Sequence, residues 1–212
     1  MALDIGLFHL INGLAGRVGP IDAAMRLFVN EYFVPTTMSL LLLVLWFSGD
    51  DALARLEVES LHLKRASASE APVEREPNQR AVLHAVITLG LANAVVKLCN
   101  LIYFRPRPFA AHEVNLLFYR PTDSSMPSNP AAIGFSFATA VWLHNRRVGS
   151  IMYVLAALFA FARVYCGVHY PSDIVVGALI AVISAYIVFK SARLLEPLVA
   201  FAIKVGKRMC LA

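Results

Sequence analysis

Apolar residues in this chain fall in long runs broken by short polar stretches, the pattern of helices that cross a bilayer. Five runs stand out, at residues 32–47, 82–104, 131–144, 151–168 and 174–189. A span needs about 20 residues, so the first and third are short by themselves. The first can be prolonged backwards through residues 23–29, with a break near Pro35, and the third gains from burial inside a bundle. A sixth helix, residues 192–205, is amphipathic and is expected on the surface. The opening stretch, residues 3–14, carries Asp4, His9 and Asn12 among apolar positions. It reads as an amphipathic interfacial helix rather than a cleaved signal. The expectation is an all-α integral membrane protein: a bundle of five or six transmembrane helices with an N-terminal interfacial helix. No internal repeat is visible, and residues 1–212 read as one membrane domain.

Composition sharpens this picture. The chain is 58% hydrophobic and only 16% charged, too apolar for an ordinary soluble domain. Residues 49–80 are charged and rich in Ser, Ala, Glu and Pro, and read as a cytoplasmic helix followed by a flexible linker. The predicted spans put Arg55, Lys64, Arg65, Arg75, Arg80, Arg146, Arg147, Lys190, Arg193, Lys204, Lys207 and Arg208 on one side. Arg17, Arg26, Arg105, Arg107, Arg120 and Arg163 fall on the other. The richer side is assigned to the cytoplasm, which makes this a multi-pass protein of the cell inner (plasma) membrane with its second side outward. A net charge of +5 then suits cytoplasmic loops beside anionic lipid. No aromatic–basic stripe points to nucleic acid. The three cysteines lack metal spacing, and Cys99 and Cys166 read as small apolar packing residues.

The candidate chemistry lies in two outward loops. One reads RPRPFAAHEVNLLFYRPTDSSMPSN, from Arg105 to Asn129; the other places Arg163 six residues before His169 and ten before Asp173. Two arginines from different loops, Arg107 and Arg163, can grip a phosphate bidentately. Backbone N–H groups at the helix start after Ser128 can take its remaining oxygens. His169 is a candidate nucleophile, and Asp173, one helical turn later, can orient it by a hydrogen bond to the far ring nitrogen. No metal or other cofactor is expected, because one histidine and one aspartate beside two arginines make a poor cation site. Taken singly, each residue has an ordinary structural role: an arginine at a span end snorkels to headgroups. Together, ionisable groups at the mouth of a span are costly and mark function.

The stretches RPRPF, SSMPSNP and RVYCGVHYPSD resemble the phosphatidic acid phosphatase type 2 superfamily of integral membrane lipid phosphatases. Their wording is most similar to the bacterial undecaprenyl pyrophosphate phosphatase branch, over about residues 91–189. The resemblance implies a compact helical bundle with its site at the outer membrane surface. It implies His169 as the nucleophile that becomes phosphorylated and Asp173 as its partner. Arg107, Arg163 and Ser128, with Asn129 beside it, would form the phosphate cradle.

Three positions depart from that pattern. Where the first motif places a lysine, this chain has Asn100, with Lys97 one turn deeper; about 4.5 Å of rise separates them, so a long lysine can partly reach upward. Ala162 replaces a serine. Pro130 stands where the second motif ends in the histidine that protonates the leaving group. Ser128-Asn129-Pro130 is also a well-made helix start. His112, in the outer loop, is a conceivable substitute; His144, at the cytoplasmic end, is not. Two classes of function follow. One is a phosphatase acting on a lipid diphosphate, whose leaving group has a second pKa of about 6 and depends little on an acid. The other is a silent relative that binds phospholipid headgroups or is an accessory subunit of a membrane complex, beside other membrane subunits.

Overall fold

The computed structural model describes residues 2–48 and 76–209, and every regular element among them is a helix. In chain order these are α1 (Ala2–Asn12), α2 (Gly19–Val29), α3 (Phe33–Phe47), α4 (Glu76–Ile102), α5 (Pro108–Ala111), α6 (Asn129–Trp142), α7 (Arg146–Tyr165), α8 (Pro171–Lys190) and α9 (Ala192–Arg208). Most of the expected charged helix and linker, residues 49–75, lies outside the described residues. Its last part does not belong to a linker. Residues 76–80 are the first turn of α4, where Pro77 is tolerated because first-turn N–H groups need no intrahelical partner.

Helices α4, α7 and α8 are each long and apolar enough to cross a membrane. Helices α2 and α3 pass the same test together but are bent by 60°. Among the described residues the count by length and composition is therefore three, or four with the bent pair, which does not reach the five or six expected. Helix α6 makes the difference. Its 14 residues rise only about 21 Å, and it is enclosed by α4, α7 and α8. Ala131, Ala132, Gly134, Ser136, Ala138 and Ala140 are buried along it, small side chains that let neighbouring backbones come close. The main core gathers Phe137 and Val141 of α6 with Met152, Ala156 and Phe159 of α7 and Met38 and Leu42 of α3.

The α2–α3 break does not fall at Pro35. It falls at Asn30, whose Oδ1 accepts from the backbone N–H groups of Tyr32 (2.8 Å) and Phe33 (3.2 Å) and so starts a new helix. Pro35 sits in the first turn of α3. Asp4 and Asn12 of α1 turn inward rather than to headgroups, while His9 stays exposed. Asn12 donates to the carbonyls of Asn115 (2.9 Å) and Tyr165 (2.8 Å) and accepts from the N–H of Asn115. Asp4 pairs with Arg105 at 2.7 Å and accepts from Ser172. Helix α1 thus braces both outer loops. At the other end, Arg80 pairs with Glu196 and Lys207 with Glu76, tying α4 to the amphipathic α9.

Helix α8 meets the start of α6 through Gly177, where an added Cβ would lie 2.4 Å from the Ser128 carbonyl oxygen. Gly177→Ala is expected to destabilise the protein by about 1–3 kcal/mol, the usual cost of overpacking a rigid contact. A thermal melt of the detergent-solubilised variant measures it. An unchanged melting point means that α8 does not hold α6 this closely.

Candidate active site

Prolines set the first wall. Pro106 and Pro108 flank Arg107, whose backbone is extended (φ −73°, ψ 157°), as the residue before a proline prefers. The Arg107 side chain is buried and almost fully engaged. Its Nε donates to the Asp123 carbonyl (3.1 Å), Nη2 pairs with the Asp123 carboxylate (2.7 Å), and Nη1 donates to the Val168 carbonyl (2.9 Å). The same Nη1 lies 3.1 Å from His169 Nε2.

The second wall comes from the α7–α8 connection. Helix α7 runs on through Arg163 to Tyr165, so Arg163 is held in its last turn rather than in a loop. The chain reverses at Gly167, whose φ of +84° is costly for other residues. This delivers His169 just ahead of α8. The His169 ring is buried, and its Nδ1 lies 2.8 Å from the carbonyl oxygen of Ser125. A carbonyl only accepts, so Nδ1 carries the proton, and the lone pair of Nε2 faces Arg107.

Asp173 does not make the expected hydrogen bond to His169. Its Oδ2 is 3.6 Å from Nδ1, while Ser125 Oγ (2.5 Å) and the Tyr170 N–H (2.8 Å) donate to that same oxygen. Its Oδ1 takes Arg105 Nη1 at 2.6 Å. The short turn places Asp173 at N3 of α8, where its carboxylate closes back on the Tyr170 N–H in capping-box fashion. Ser125 therefore stands between the two: Asp173 holds its hydroxyl and its carbonyl orients His169. Asp173 acts on the imidazole by charge and by fixing the loop.

Burial holds the His169 pKa below its ordinary value, with the Arg107 charge adding to this and the Asp173 carboxylate opposing it. The free imidazole, the nucleophilic form, is thus the resting form near neutrality. Activity that depends on it is present above the folded-state pKa and lost as pH falls through it. The acid limb of kcat/KM is expected below pH 6.5, the ordinary histidine value. A pH–rate profile with its acid limb at or above that value contradicts the assignment.

Around His169 lies a pocket of about 210 Å³. Arg107, Asn129, Arg163 and His169 line it, as do Pro130, Ile133, Phe159 and Pro35. Arg163 is 1% exposed, yet its Nε and Nη2 have no hydrogen-bond partner. Ser128 does not line the pocket. It is the N-cap of α6, with Oγ accepting from the Ala131 N–H and its own N–H donating to the Asp173 carbonyl. Neither Lys97, which is exposed on α4, nor Asn100 reaches the lining. His112 is also outside it, its ring packed near His9 and Tyr170. His144 pairs with His84 at 2.9 Å near the α4–α9 end. A larger cavity of about 570 Å³ between α3, α4 and α9 is lined almost wholly by apolar side chains, with no titratable group among the described residues that line it.

Two carboxylates of the pocket escaped the sequence reading. Asp123 pairs with Arg107, and Glu31 enters from the α2–α3 break. Glu31 Oε1 accepts from the Tyr119 hydroxyl at 2.5 Å and lies 3.7 Å from Arg163 Nη1. The signal for Glu31 was its place as a charge between two halves of one apolar run. Arg105, Ser125 and Tyr119 carried no comparable signal, since their roles depend on partners 48 to 88 residues away or more.

Known proteins resemble this chain. The family model for the PAP2 superfamily matches residues 81–195, more than half of the chain. The chain belongs to the PAP2 superfamily. Among PAP2 relatives, Undecaprenyl-diphosphatase BcrC of Bacillus subtilis is 28% identical over 204 residues, covering 96% of this chain and 91% of that one. The Bacitracin transport permease protein BcrC of Bacillus licheniformis is 34% identical over 116 residues, 54% of this chain and 57% of that one. Aquifex aeolicus LpxE, known from a crystal structure, superposes with a TM-score of 0.57 at 26% identity, covering 90% of this chain and 96% of that one. As a PAP2 protein with several apolar helices, the chain is a multi-pass membrane protein.

Proposed function

We propose that this PAP2 protein is a lipid diphosphate phosphatase. It would cleave the terminal phosphate of an undecaprenyl-diphosphate-like lipid through a phosphohistidine at His169, at the outer face of the inner membrane. The observation that carries this reading is the buried Arg163 guanidinium, with two nitrogens unpartnered, in the same pocket as His169 and Arg107. Buried donors are normally satisfied, and an anionic phosphoryl group supplies the missing acceptors. Nε2 attacks the terminal phosphorus, and the lipid monophosphate leaves. Its stability as an anion suits a site that has Pro130 where a proton donor would stand. The likeness to Undecaprenyl-diphosphatase BcrC agrees in substrate class.

Pro130 favours the second reading, a silent headgroup-binding or accessory subunit. One assay separates them: phosphate release from a polyprenyl diphosphate by the purified protein, with His169→Ala as control. Release by the wild type that the variant loses establishes the phosphatase. Equal background from both establishes the silent relative.

A further inference from the structure

Glu31 is an anomaly in a phosphate pocket. A carboxylate there repels the substrate, and nothing in the packing forces it in, since its side chain is 41% exposed. The Asn30 cap turns the chain so that Glu31 reaches the pocket wall, and a phenol from the facing loop holds it there. The Tyr119 pKa is pushed up to about 12 by burial and by the bond to Glu31. The phenol therefore keeps its proton and donates it to the Glu31 side chain. Asp123, the other carboxylate of the pocket, has its Oδ1 committed to Arg107 at 2.7 Å. Pro130, in the same wall, has no group that can move a proton.

We propose that Glu31 is the general base that activates the water hydrolysing the phosphorylated His169. This rests on the phosphohistidine reading above. In the first half-reaction Nε2 bonds to phosphorus, and the P–O electron pair departs with the lipid monophosphate, unprotonated. In the second, the water oxygen bonds to phosphorus while Glu31 takes one of its protons. The P–N bond breaks, its electron pair returns to Nε2, and orthophosphate leaves. Glu31 then releases the proton through the open side of the pocket. Tyr119 is a positioning residue that fixes the carboxylate, and Arg163 Nη1 lies 3.7 Å from the same oxygen.

The test uses the full chain in detergent and farnesyl diphosphate labelled in its terminal phosphate. Glu31→Gln should give a burst of about one lipid monophosphate per chain, then turnover slower by about 10²-fold, the scale of a lost general base. The chain should carry acid-labile, alkali-stable label that His169→Ala never acquires. Inhibition by orthovanadate should be as strong as in the wild type or stronger, because a repelling charge has gone. Glu31→Asp should recover part of the turnover. Wild-type turnover in Glu31→Gln overturns the base assignment alone. So does slow turnover with weak vanadate inhibition and no label, the mark of a merely structural role. Label that builds up in Asp123→Asn instead assigns the base to Asp123. If the wild type itself neither releases phosphate nor acquires label, the phosphatase reading fails and this one with it.

Discussion

Replacing His169 with alanine should cut phosphate release from a lipid diphosphate by about 10³-fold or more, to background. Removing the group that bonds to the substrate leaves only positioning and charge stabilisation, and a loss of this size is about 4 kcal/mol of transition-state stabilisation. The geometry gives the histidine this weight. Its proton is committed to the Ser125 carbonyl and its lone pair points at the guanidinium side of the pocket. Among the described residues no other imidazole lines the cavity. Arg107 keeps its bonds to Asp123 and Val168 without His169, so the cradle should survive the substitution. Orthovanadate binding that persists while turnover vanishes identifies the nucleophile. Turnover reduced less than tenfold assigns the attack to another group.

Pro130→His should be the largest gain of function available by one change. Residue 130 lines the pocket with His169 and Arg163, so an imidazole there can reach the leaving group. The gain is bounded by the general-acid factor of about 10²–10⁴. It should be large for lipid phosphate monoesters, whose alkoxide leaves poorly without a proton, and small for diphosphates. The helix start should tolerate the change, because Ser128 Oγ still accepts from the Ala131 N–H. Asn100 still stands in the first motif, and its side-chain Oδ1 is buried without a partner, so Pro130→His with Asn100→Lys is the fuller comparison. Measured rates on a matched monophosphate and diphosphate of the same prenol decide the matter. Equal gains on both would mean that the diphosphate step also lacks an acid, and no gain on either would favour the silent reading.

The apolar runs by themselves determined that this chain builds helices and puts them in a membrane, because hydrophobic length and burial of backbone polar groups are local requirements. They also located the chemistry. Arg107, Arg163, His169 and Asp173 lie in two short stretches whose spacing is written in the chain, and three of the four line one pocket. Span count was less legible, because a buried helix such as α6 looks apolar whether or not it is long enough to cross. The partner of each polar group was decided only in three dimensions. Four residues of separation placed Asp173 near His169, but Ser125, from a distant loop, took the hydrogen bond. Ser128 reads equally as cap or phosphate ligand, and the packing of α6 against Gly177 left it as a cap. Glu31 entered the site because Asn30 ends one helix and begins another, and Tyr119 met it from a loop 88 residues away. Hydrogen bonds are short and directional, so which donor meets which acceptor depends on ångström-scale placement that hydrophobic patterning leaves open.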